Sequence, residues 1–92
     1  MMRTYARTDL NHNEITDALR GIGCSVFSLH QVGKGCPDLL VGFRGVTTLI
    51  EVKSERGKLT PDESAFFDEW RGAAAVCYTV EEAIAHMVEL TV

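Results

Sequence analysis

Asp38, Glu51 and Lys53 are the residues in this chain whose types and spacing could carry chemistry. They frame a stretch that reads as a β-hairpin. Leu39–Phe43 is a short apolar run, Val46–Lys53 is rich in β-branched residues, and Arg44-Gly45 lies between them as a two-residue turn. Asn or Asp before the glycine would be a stronger turn signal. A tight turn sets Phe43 against Val46, so that paired positions sum to 89 and Asp38 falls across from Glu51. Successive side chains alternate faces, so Glu51 and Lys53 share one face and Ile50 and Val52 take the other. Two opposed carboxylates repel and cost stability unless something neutralises them. A hard divalent cation does so, taking one or two carboxylates alongside water and substrate phosphate. A nearby ammonium can orient the attacking water or offset charge building at phosphorus. The chemistry these groups would support is metal-assisted phosphodiester hydrolysis. The plainer alternative is a surface strand ending in Glu-Val-Lys, with an unrelated aspartate in the preceding turn.

The flanking elements must hold that hairpin in place. Asn11 or Asn13 is a candidate cap for a helix reaching about Gly21, with Ile15, Ala18, Leu19 and Ile22 at helical spacing. Glu14 would then lie in its first turn, where an acid favours the helix dipole. Residues 1–10, with Arg3, Tyr5 and Arg7, show no clear periodicity; they read first as a flexible, frayed arm, with a phosphate-contacting tail or part of a dimer seam as the alternatives. Cys24–Leu29 reads as a first strand beside the hairpin. A glycine-bearing loop follows; Lys34, between two glycines, could touch a phosphate, while His30 and Gln31 have no spacing that demands a role. The loop does not fit a Walker motif, which needs Gly-Lys-Ser/Thr opening a helix.

Beyond Lys53, Arg56 and Lys58 lie in a polar loop near the end of the strand and are candidate phosphate contacts, as is Arg44 in the turn. Thr60, Pro61 and Glu63 announce a helix: an N-cap, a proline at the first helical position and an acid closing a capping box. Phe66, Phe67 and Trp70 give that helix an aromatic face, read as core packing because no basic residues interleave with them. Gly72 would end it. Ala75–Tyr78 supplies a last strand, and Thr79 with Glu82 opens a last helix carrying Val80, Ala83, Ile84 and Met87. His86 lies on its other side, facing solvent. The expected order is helix, three strands, helix, strand, helix, an α/β fold with a small mixed sheet flanked by helices.

Pro37-Asp38 followed by Glu51-Val52-Lys53 resembles the PD-(D/E)xK nuclease signature. The wider pattern, Pro37-Asp38-Leu39-Leu40-Val41-Gly42, then Ile50 to Lys53, then Gly57 to Pro61 and a helix with Trp70, resembles the VRR-NUC domains within that superfamily. These occur as short standalone proteins of phages and bacteria. The resemblance covers about Asn11 to His86. It implies a restriction-endonuclease-like fold and a Mg2+- or Mn2+-dependent endonuclease. Asp38, Glu51 and the carbonyl of Val52 would be metal ligands, Lys53 the catalytic cation, and Glu14 (Asp17 as the weaker match) an addition to the metal shell. Family members commonly carry glutamine about where Glu63 stands. Short members are similar to Holliday-junction resolvases, which suggests a homodimer acting on four-way DNA junctions. A flap or general nuclease with the same site is the second reading, and a catalytically silent nucleic-acid-binding module the third.

Ninety-two residues fit a single domain, 1–92, with one modest core. No stretch reads as a membrane span or a secretory leader, and the cytoplasm of a bacterium or phage-infected cell is the expected compartment. Cys24, Cys36 and Cys77 are odd in number and lack a Cys-x-x-Cys pair, which speaks against a disulfide framework or structural zinc. The net charge of −4 looks wrong for gripping DNA, but its distribution is uneven. Eight basic and six acidic residues precede Leu59, against one and seven from there on. The first two thirds can therefore present a cationic face and the last third an acidic one.

Overall fold

A computed structural model describes residues 3–92, with side chains from Asn11 onward. The elements run α1 (Arg3–Gly21), β1 (Ser25–Ser28), β2 (Leu39–Phe43), β3 (Val46–Val52), α2 (Pro61–Glu69), β4 (Ala74–Cys77) and α3 (Val80–Leu90). This is the order expected from the sequence. The four strands form one sheet in the order β1-β2-β3-β4, the first three antiparallel. β4 joins β3 in parallel after the α2 crossover, the connection a parallel pair requires.

The β2–β3 register is the one a two-residue turn dictates, from Phe43↔Val46 to Leu39↔Ile50. Arg44 and Gly45 both take positive φ, 52° and 81°, the requirement of a type I′ turn whose twist matches that of the strands. Arg44 tolerates this conformation with its guanidinium 5.0 Å from the Phe43 ring centre.

Alternation along the strands sorts the sheet into two faces. Val26, Leu39, Val41, Ile50, Val52 and Cys77 pack with Ile15 and Leu19 of α1 and Ala83 and Met87 of α3, and this is the core. Cys24 and Cys77 are both buried free thiols, with Cys24 just outside β1 rather than within it.

Several local expectations give way. α1 begins at Arg3, so neither Asn11 nor Asn13 caps it and Glu14 sits in mid-helix, away from the dipole's positive end. From Arg3 on, the stretch read as a flexible arm is instead the first turns of α1, and the phosphate-contacting and dimer-seam readings concern the Arg3, Tyr5 and Arg7 side chains, which lie outside the described residues. Ile22 falls beyond the helix end and is exposed. α2 contributes no buried residue, so its aromatic face is not core. Phe66 instead stacks on Trp70, at 5.4 Å and 20°, and meets Phe67 edge-on. α2 stops at Glu69 with Trp70 as its C-cap, ahead of Gly72, and the indole N–H donates to the carbonyl of Ala73. At α3 the Thr79 hydroxyl caps Glu82 N–H as anticipated. The Glu82 carboxylate, however, accepts from Tyr78 N–H, one residue earlier than a capping box would have it. His86 is half-buried rather than solvent-facing. Its Nε2 lies 2.9 Å from the hydroxyl of fully buried Thr48, and burial lowers its pKa.

Candidate active site

One step beyond the last paired residues of the hairpin, Leu39 and Ile50, stand Asp38 and Glu51. Fully buried Pro37 fixes the approach to this point, and the Asp38 carbonyl accepts from Leu29 N–H at 2.7 Å, which ties it to the end of β1. The Asp38 carboxylate turns across to β3, where its Oδ2 accepts from Val52 N–H at 2.9 Å. The aspartate is thus clamped to the strand that carries Glu51.

Glu51 points to the face opposite the core yet is only 3% exposed. Its Oε1 is buried without any hydrogen-bond partner. Burial first, then the charges of Asp38 and Glu63, push its pKa up from an ordinary 4.5 to about 8, and Lys53 only partly opposes them. At neutral pH this acid is mostly protonated in the chain by itself.

Lys53 Nζ lies 3.5 Å from Glu51 Oε2 and 2.8 Å from Glu63 Oε1. With Glu51 mostly neutral, Glu63 is the main counter-charge of the ammonium. Burial works to lower the lysine's pKa, but its bonds to Glu63 and the nearby carboxylates outweigh this and the net shift is upward. For Glu63 burial acts to raise the pKa, and the hydrogen bonds from Lys53 and Thr60 N–H bring it below the ordinary value. Glu63 does close the capping box with Thr60, as its position predicts. Its contact with Lys53 is the feature that local sequence reasoning misses, because it depends on where the crossover sets α2 down. Gly35 makes that placement possible, since a Cβ there would collide with the Asp62 carbonyl oxygen in the first turn of α2.

Two further residues border the site without a sequence signal. Asn11, read as a helix cap, donates from Nδ2 to the carbonyl of Lys53 at 2.9 Å and ties α1 to the end of β3. Cys36 lies close enough to both acids that burial, Glu51 and Asp38 together raise its pKa.

Of the remaining candidates, Glu14 and Asp17 are exposed on α1. Among the described residues, no three or more His, Cys, Asp or Glu side chains converge as a metal cage. Lys34, Arg56 and Lys58 are exposed in the loops before and after the hairpin. Arg44 lies at the turn, six residues along β2 from Asp38 and so about 20 Å from the acids, too far to serve the same phosphate. His30 and Gln31 are exposed, and the His30 ring bonds Ser28 at 3.1 Å.

The donor set suits one kind of ligand. Two carboxylates, one with an unsatisfied buried oxygen, are hard donors that fit a divalent cation which completes its shell with carbonyl, water and substrate oxygens. They do not fit a soft-metal cage.

No protein-family model and no curated protein matches the sequence. Among solved structures, a VRR_NUC domain superposes with a TM-score of 0.74, covering 88% of this chain and 94% of that one at 23% identity. The chain therefore has the fold of a VRR_NUC domain, in agreement with the motif resemblance. Among the described residues no helix is long and apolar enough to cross a membrane.

Proposed function

We propose that this chain is a divalent-metal-dependent, structure-selective DNA endonuclease of the PD-(D/E)xK type, acting as a homodimer on four-way junctions. The observation that carries the reading is Glu51: a carboxylate buried with a free oxygen, facing Asp38 and within reach of an ammonium. A fold has no structural use for such an acid, because a buried carboxyl oxygen left unpaired costs stability. A binding module would have no need of it either.

In this reading Asp38, Glu51 and the Val52 carbonyl hold the cation, and Glu14 supports them from α1. The bound cation supplies Lewis-acid charge at the scissile phosphate. Lys53 orients the attacking water or donates hydrogen bonds to the phosphoryl oxygens as negative charge builds on them. A new P–O bond forms to the water oxygen, and the bond to the departing sugar oxygen breaks. Lys34, Arg56 and Lys58 contact flanking phosphates, with Arg44 reaching only duplex that extends past the hairpin turn. Junction selectivity and pairing rest on the likeness of short family members to Holliday-junction resolvases: one site must act twice to resolve a symmetric junction, and a two-fold dimer supplies both sites.

Labelled duplex, flap, splayed-arm and four-way-junction DNAs incubated with Mg2+ or Mn2+ test this directly. Metal-dependent cleavage favouring the junction is the expected result. Preference for flaps or plain duplex would retain the nuclease and discard the junction. Binding without cleavage, together with no carboxylate-dependent Mn2+ uptake in calorimetry, would leave a nucleic-acid-binding module.

A further inference from the structure

We infer that Glu63 is a positioning residue: from α2 it holds the ammonium of Lys53 over the site. The inference rests on the catalytic role proposed for Lys53 and extends it to a side chain outside the Asp-Glu-Lys set.

The lysine is confined along its whole length. Its backbone carbonyl is tied to Asn11 and its N–H to the carbonyl of Cys77. Its stem passes under the turn at Gly57, where an added Cβ would lie 3.3 Å from Lys53 Cβ and Cδ. That turn is itself pinned, because the Tyr78 hydroxyl donates to the Gly57 carbonyl at 3.0 Å. Only the head of the lysine retains a choice, and its shortest bond, 2.8 Å, goes to Glu63 rather than to Glu51 in the strand it extends. Both Lys53 and Glu63 have side chains less than one-fifth exposed, so water screens the pair weakly. Glu63 is equally fixed. Its Oε1 accepts from Thr60 N–H at 2.9 Å as well as from Lys53, which makes the first turn of α2 a rigid bracket for the ammonium. A long, flexible cation is thereby delivered to one position before substrate arrives, which lowers the ordering cost of the reactive arrangement.

The capping box offers a clean separation of roles, because glutamine closes it as well as glutamate does. Glu63→Gln should keep the capping box of α2 closed while weakening the hold on Lys53. The primary readout needs no DNA: acylation of Lys53 by an N-hydroxysuccinimide acetate ester, followed by peptide mass spectrometry, with Lys58 in the neighbouring loop as internal reference. The Lys53/Lys58 rate ratio should rise about tenfold in Glu63→Gln, equivalent to about 1.4 kcal/mol and close to the lower end for a hydrogen bond between charged groups. Thr60→Ala is the structural control. It removes the hydroxyl cap and lowers the melting temperature but leaves the backbone N–H that anchors Glu63, so the ratio should stay at the wild-type value. With junction DNA and Mn2+, Glu63→Gln should lower kcat about tenfold with DNA affinity similar or higher, as loss of positioning does. An unchanged Lys53/Lys58 ratio in Glu63→Gln overturns the inference, and so does an equal rise in Thr60→Ala. A wild-type chain that cleaves no DNA would remove the nuclease reading, and the acylation ratio would still decide whether Glu63 holds the lysine.

Discussion

Replacing Glu51 by glutamine should make the metal-free protein more stable, and the gain should depend on pH. The folded chain holds the Glu51 proton up to about pH 8, whereas the unfolded chain releases it near the ordinary 4.5. Between those values the native state binds more protons than the unfolded state, so stability falls as pH rises. Below about pH 4.5 and above about pH 8 this group contributes no slope. Integrated over the shift, the loss is at most about 5 kcal/mol, since one pKa unit corresponds to about 1.4 kcal/mol. An amide at this position cannot ionise and removes this loss. Wild type and Glu51→Gln should therefore melt together near pH 4 and diverge above it. Even half of the upper bound separates their melting temperatures by about 10 °C or more at pH 9 for a domain of this size. His86 works in the opposite direction: burial lowers its pKa, so it favours the folded state increasingly as pH rises toward its ordinary value of 6.5. The difference between the two proteins, both melted in chelator, cancels that contribution. Equal melting temperatures at pH 9 would mean that Glu51 ionises freely in the fold and that its buried oxygen is not a source of strain. Adding Mn2+ at pH 8 should raise the wild-type melting temperature and leave Glu51→Gln unmoved, because only an ion bound to the native state stabilises it.

Asp38→Asn should abolish cleavage while leaving DNA affinity similar or higher, because it removes a metal ligand and also a repulsive charge; wild-type turnover at saturating Mg2+ would refute its role. Lys53→Ala should cost about 100-fold or more in rate, as removal of a well-placed transition-state donor does. It should leave Mn2+ binding detectable by calorimetry, and a small loss beside a large one for Lys58→Ala would move the catalytic cation to the loop. Light scattering after size exclusion should give about twice the 10.1 kDa chain mass, with paired symmetric nicks in a four-way junction. A strict monomer nicking one strand would discard the resolvase reading.

The hairpin was legible because its information is local. A two-residue turn and period-two alternation determine which residues face each other, and the observed pairing Phe43↔Val46 through Leu39↔Ile50 follows from those alone. The capped start of α2 was legible for the same reason, since Thr60, Pro61 and Glu63 carry their own geometry. What escaped were contacts between layers. Asn11 has the type of a cap, and only the docking of α1 shows its amide spent on the Lys53 carbonyl. Phe66, Phe67 and Trp70 have the spacing of a core face. Yet α2 lies outside the core that α1 and α3 build, so its aromatic residues stack on one another. His86 stands next to buried Met87 at the margin of α3's apolar stripe, where a small rotation decides between solvent and Thr48.

Glu63 shows most clearly why a site can be half readable. Its first role, closing a capping box, involves residues three apart and is written in the sequence. Its second, holding Lys53 across ten residues of loop and helix, exists only because the crossover returns α2 to the end of β3. Each local explanation is complete by itself, so nothing in the sequence signals that another is needed. The charge arithmetic does supply that signal once the fold is known. Lys53 is enclosed between two acids, and Glu51, with its pKa near 8, is a weak counter-ion at neutral pH. If Glu51 instead gives its charge to a cation, it is again unavailable to Lys53. In either state the ammonium must be balanced from elsewhere, and Glu63 is the carboxylate in contact that can do it.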